Sequence, residues 1–280
     1  MELSVSNVNS APYYWKSPST DPSARSSNGL TPLHFAAKYC PPYLTDETGV
    51  TVESQAEVTY LSTSLRAVQL LVLEHHCDIN AQDNLQTSPL HLACSRGNRG
   101  AVEVLLGCDN INIDAFDHRL HTPLHNVCLL GDVVISEMLL QKGADVLAEN
   151  DDGMTSLHLA CLEGHTEIVK QILKYGLAYR HRLVSYLDAK KNTPLHLACE
   201  SGFREIVQAI LLHNADAGAL NVDEVAPVHI AARQGFVEIA NILLDAADGN
   251  TNVLDNKRLT PLHYAAKHNQ TEMIEFLLKK

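Results

Sequence analysis

The feature that most narrows the fold of this chain is a four-residue phrase that recurs seven times. It reads Thr31-Pro32-Leu33-His34, Ser88-Pro89-Leu90-His91, Thr122-Pro123-Leu124-His125, Thr155-Ser156-Leu157-His158, Thr193-Pro194-Leu195-His196, Ala226-Pro227-Val228-His229 and Thr260-Pro261-Leu262-His263. Successive histidines are 57, 34, 33, 38, 33 and 34 residues apart. A fixed period of this size marks stacked supersecondary units, here interrupted by two insertions.

Each copy predicts a helix start, because a Thr or Ser hydroxyl can accept from the orphan amides of a first turn and Pro presets φ at the next position. A small pair follows each histidine (Ala36-Ala37, Ala93-Cys94, Val127-Cys128, Ala160-Cys161, Ala198-Cys199, Ala231-Ala232 and Ala265-Ala266) and lets helices approach closely. Gly97, Gly131, Gly164, Gly202 and Gly235 then predict a turn, and apolar residues at helical spacing such as Ile168, Val169, Ile172 and Leu173 predict a second helix. One unit cannot bury its apolar face alone, so neighbours must stack, each buried Leu or Ile then contributing roughly 1.5–3 kcal/mol.

These residues resemble the ankyrin repeat family over about residues 26–280. The resemblance implies an all-α solenoid of about seven helix-turn-helix repeats with short β-hairpin fingers. It assigns the phrase histidines His34, His91, His125, His158, His196, His229 and His263 a structural role in hydrogen bonds between neighbouring fingers. The family's finger usually carries Gly where the turn wants φ > 0. Only Gly29 and Gly153 obey here, while Gln86, Leu120, Lys191, Glu224 and Arg258 stand at the other copies, so those fingers either bend differently or carry strain.

Residues 1–25 form a Ser/Pro-rich segment expected to be largely flexible, apart from the lone Trp15, which is expected to cover the exposed end of the first repeat. The first insertion, about residues 40–63, carries Asp46, Glu47, Glu53 and Glu57 without Lys or Arg, and reads as a surface excursion, a dock for a basic partner or a lid. The second, about residues 177–191, reads as a lengthened finger. It holds the chain's clearest basic cluster, Arg180, Arg182, Lys190 and Lys191, interleaved with Tyr179 and Tyr186, which would suit an anionic ligand.

Catalytic and cofactor chemistry finds no support. Among the 15 histidines the best metal candidates, His118, His121 and His125, include a buried phrase histidine, so no metal is expected. There is no phosphate loop, nucleophile elbow or HExxH motif, and the chain is not expected to be an enzyme or to need a cofactor. Seven cysteines without close pairing fit a reducing cytosol, and Cys94, Cys128, Cys161 and Cys199 fall in the small-residue column as packing residues. A net charge of −12 disfavours nucleic acid, and no stretch is apolar enough to insert in a membrane.

In the family, partners meet the fingers and the two positions after the small pair. Copy by copy these are Lys38-Tyr39, Ser95-Arg96, Leu129-Leu130, Leu162-Glu163, Glu200-Ser201, Arg233-Gln234 and Lys267-His268. The expected partner-binding residues are Arg96, Arg119, Leu129, Leu130, Met154, Leu162 and Glu163, since apolar side chains on a face that should be wet mark partner sites. Residues 31–150 hold 6 basic and 15 acidic side chains against 13 and 16 in residues 151–280, so a protein or peptide with basic and apolar residues is the expected partner. Two readings follow: a cytoplasmic scaffold, or the cytosolic module of a larger membrane protein. The extended segment Tyr179 to His196 is similar to ankyrin-subfamily transient receptor potential channels, and further repeats or a membrane domain are expected after Phe276-Leu277-Leu278.

Overall fold

The computed structural model describes residues 21–39, 65–247 and 249–280. Trp15, Cys40 and the acidic insertion lie outside the described residues, as does the side chain of Arg180.

All seven phrases open a helix at their second residue: Pro32–Lys38, Pro89–Ser95, Pro123–Leu130, Ser156–Glu163, Pro194–Ser201, Pro227–Gln234 and Pro261–Lys267. These inner helices alternate with outer helices Arg99–Leu106, Val133–Gln141, Thr166–Tyr175, Arg204–Leu211, Val237–Ala246 and Thr271–Lys279. In the first repeat the outer position is held by residues 65–69 and a π-helical turn, Leu70–Glu74. The start is set by a reciprocal cap in which the phrase histidine replaces the usual Glu: the N-cap amide of Thr122 donates to His125 Nδ1 at 3.0 Å, and Thr122 Oγ1 accepts from the His125 amide at 3.4 Å.

Helices this short are marginal alone, so their stability comes from packing. Each inner helix stacks on the next, and Leu33, Leu90, Leu124, Leu157 and Leu195 line up in one buried column. The column of small pairs is fully buried from Ala93-Cys94 to Ala231-Ala232. The inner-to-outer turn requires glycine at Gly164, where φ is 81° and a Cβ would stand 2.1 Å from the ring of Phe203 in the next repeat.

The fingers differ from the expected β-hairpins: no strand occurs among the described residues. From the second onward each is a turn held by one acidic or amide side chain, as where Asp83 Oδ1 accepts from the amides of Leu85 and Thr87, both at 2.8 Å. Adjacent fingers share one backbone hydrogen bond per step, His118 to Leu85, Asp151 to Arg119, Ala189 to Asp152, Val222 to Lys190 and Asn256 to Asp223, at 2.9–3.1 Å. One bond per neighbour is too few for a sheet ladder. The turn is nevertheless kept without glycine: Gln86, Leu120, Lys191, Glu224 and Arg258 all adopt φ of 56–60°.

The second insertion is not a lengthened finger. Its added residues form a 3-10 turn, Leu177–Tyr179, and a helix, Arg180–Ser185, that sinks Leu183 and Val184 into the core. The finger after it, anchored by Asp188 Oδ1 accepting from Lys190 and Asn192, has the same form as the others.

Candidate protein-binding surface

The phrase histidines weld neighbouring repeats. In the first six repeats Nδ1 accepts from its own N-cap amide, which leaves the proton on Nε2, and Nε2 donates to a carbonyl at the base of the next finger. His91 reaches His121 at 2.9 Å, His125 reaches Met154 at 3.1 Å and His196 reaches Val225 at 3.0 Å. Burial holds these imidazoles below their ordinary pKa, His125 and His158 down at about 4. His263, in the last repeat, is exposed and among the described residues bonds to Thr260 alone. His121 stacks on His125 with centroids 5.8 Å apart, and its Nε2 pairs with the Asn150 amide at 3.2 Å, so both rings are engaged in finger contacts. His118 is exposed on the tip, and among the described residues no three His, Cys, Asp or Glu side chains gather as metal ligands.

Cys94, Cys128, Cys161 and Cys199 are buried, and burial pushes their thiols well above the ordinary range, which removes the thiolate needed for reactivity.

The two positions after the small pair form a continuous row along the inner helices. In the fifth and sixth repeats the row is polar and internally satisfied: Arg233 pairs with Glu200 at 3.0 Å, and Ser201 Oγ donates to the Leu162 carbonyl at 2.6 Å. In the third repeat it is apolar and open, with Leu129 and Leu130 exposed at 41% and 46%. Sequence reasoning missed their extension across the turn: Val133 and Val134 start the outer helix, exposed at 39% and 44%. The signal was present, since the position of Val134 reads Gly100, Glu167, Glu205, Glu238 and Glu272 in the second and fourth to seventh copies.

The other expected contact residues do not all join this cluster. Leu162 and Met154 are half-buried against the core. Met154 also precedes the N-cap of the helix Ser156–Glu163 and Leu162 lies in its last turn, so about 10 Å of helix separates them. Arg96 and Glu163 are exposed members of the row in the second and fourth repeats, whereas Arg119 lies on a finger tip within 4.0 Å of Asp151. A second apolar feature, also unread in the sequence, lies in the first two repeats, where exposed Phe35 stacks on Tyr39 with centroids 6.1 Å apart. Leu85 and Leu92 line a groove there together with Leu30 and Lys38.

The basic residues of the second insertion fall on two elements, Arg180 and Arg182 in the helix Arg180–Ser185 and Lys190 and Lys191 in the finger after it. The Arg182 guanidinium lies over the Tyr186 ring at 5.6 Å, and the Tyr186 hydroxyl donates to the Glu149 carboxylate. Lys190 and Lys191 are exposed on the finger tip.

A family model described as ankyrin repeats matches residues 58–150, 137–221 and 206–280. The chain belongs to the ankyrin repeat family. Among curated proteins, the human transient receptor potential cation channel subfamily A member 1 is 36% identical over 101 residues, 35% of this chain and 9% of the channel. The mouse neurogenic locus notch homolog protein 1 is 31% identical over 148 residues, 53% of this chain and 5% of the relative. The chain thus spans under a tenth of the length of these relatives. Ankyrin repeats are in general protein-interaction modules, and no helix of the described residues is long and apolar enough to cross a membrane.

Proposed function

We propose that this chain is a non-enzymatic scaffold that binds a protein or peptide on its inner-helix and finger face, anchored at Leu129 and Leu130. The observation that carries the reading is the change along one row, from charged and ion-paired in repeats five and six to apolar and solvent-facing in repeat three. A handful of side chains near the centre of an interface typically carries most of its binding energy. The acidic excess of residues 31–150 favours a partner whose apolar anchor is flanked by Lys or Arg. The test is selection of peptides from a random library on the folded chain. Enriched sequences should combine apolar and basic residues and lose at least about tenfold in affinity on Leu130→Asp, equivalent to ~1.4 kcal/mol. Enriched peptides that bind Leu130→Asp unchanged would overturn the anchor.

The likeness to the subfamily A channel supports a second reading, in which the chain serves as the cytosolic ankyrin module of a larger membrane protein. Blotting source cells with an antibody against this region separates the two. A membrane-fraction band several times heavier than 30.7 kDa favours the second, and a soluble band near that mass favours the first.

A further inference from the structure

The finger tips alternate in charge along the array. Tip three carries Arg119, tip four Asp151 and Asp152, tip five Lys190 and Lys191, tip six Asp223 and Glu224, and tip seven Lys257 and Arg258. All nine side chains are exposed. Because the backbone bonds hold neighbouring fingers side by side, this becomes a row that reverses sign at every step.

The chain itself uses little of that charge. Arg119 and Asp151, at 4.0 Å, are the one tip-to-tip ion pair among the described residues. Lys190, Lys191, Glu224, Lys257 and Arg258 have no ion-pair partner among those residues. Beside the tips runs an apolar row in a single finger register, Leu187, Leu220 and Leu254, exposed at 46%, 46% and 42%. Apolar side chains aligned next to uncommitted charges of both signs are the composition of an interface.

We propose that this row binds a second copy of the same chain, antiparallel and finger to finger, about a two-fold axis between fingers five and six. That operation sets tip five against tip six of the other copy and tip four against tip seven, each twice. Every facing pair is then opposite in sign: Lys190 and Lys191 meet Asp223 and Glu224, and Asp151 and Asp152 meet Lys257 and Arg258. A parallel pairing in register, or an axis through a finger, would set like charges together. An axis between fingers four and five would set the charges of tip seven against the uncharged Asn84 and Leu85 of tip two. An isologous two-fold pairing closes on itself, and complementary charge fixes its register. The surface involves repeats four to seven and is separate from Leu129 and Leu130.

Sedimentation velocity on the 280-residue chain across a concentration series tests the proposal. A dimer is expected at low salt, with a dissociation constant at least about tenfold higher at high salt. Lys190→Glu with Lys191→Glu, and Asp223→Lys with Glu224→Lys, should each be monomeric alone. Their equimolar mixture should form heterodimers, because a reversed tip five then meets a reversed tip six while every other pair is unchanged. A role confined within one chain cannot produce rescue on mixing. Wild-type chain that stays monomeric, variants that still dimerise alone, or folded variants that fail to associate when mixed would each overturn the proposal. Reversal of Asp151 with Asp152, mixed with reversal of Lys257 with Arg258, repeats the test should a variant of the first pair not fold.

Discussion

His125 shows how much one side chain does in this array. One ring nitrogen closes its own helix cap and the other ties the next finger at Met154, so a single imidazole is both a local and a tertiary device. Its place in the phrase was legible in the sequence, but its second partner comes from 29 residues away and only stacking supplies it. The fourth copy breaks the phrase at Ser156, whose buried hydroxyl has no hydrogen-bond partner. Ser156→Pro, restoring the residue of the other six copies, should stabilise the chain by about 1 kcal/mol, by presetting φ and removing a desolvated hydroxyl. A rise in urea midpoint with unchanged slope would verify it. Leu120 holds φ at 56° with an exposed side chain. Leu120→Gly relieves left-handed strain at a smaller cost in chain entropy, and a net gain of up to about 1 kcal/mol is expected, absent in Leu120→Ala.

Elements were read correctly where a period carried them and misread where it lapsed. All seven inner helices begin at the predicted phrase, because capping and proline geometry are local. The helix Arg180–Ser185 escaped notice since Leu183 and Val184 sit among Arg, His and Tyr, with too few residues to display a helical period. The close approach of Gly176, where a Cβ would stand 2.1 Å from Leu183, shows how tightly this helix is seated. Leu183→Ala should therefore destabilise the chain by about 2–5 kcal/mol, as a buried core residue does. A loss below 0.5 kcal/mol, within the usual range for surface substitutions, would mean that the insertion is a surface feature after all.

At the scale of the molecule the buried histidines make stability depend on pH. His34, His91, His125, His158, His196 and His229 all have pKa values lowered chiefly by burial. The unfolded chain takes up protons first as pH falls through about 6.5, so acid favours unfolding. Stability should be complete above that value and fall progressively toward pH 4, the range in which His125 and His158 titrate when folded. Urea midpoints measured between about pH 7.5 and 4.5 check this; a flat profile would show that the imidazoles are not held neutral. The effect should be cooperative along the stack, because each imidazole joins two repeats.

The residue order alone determined the solenoid, its repeat boundaries and the start of each inner helix, because these rest on caps, small residues and short-range periodicity. Tertiary structure decided what the surface became. Stacking set Leu162 and Met154 against the core while leaving Leu129, Leu130, Val133 and Val134 to solvent, a distinction that apolar character by itself does not make. It also turned basic residues that cluster in the sequence into one step of an alternating row. The period of about 33 places acidic and basic fingers side by side only once the repeats are packed.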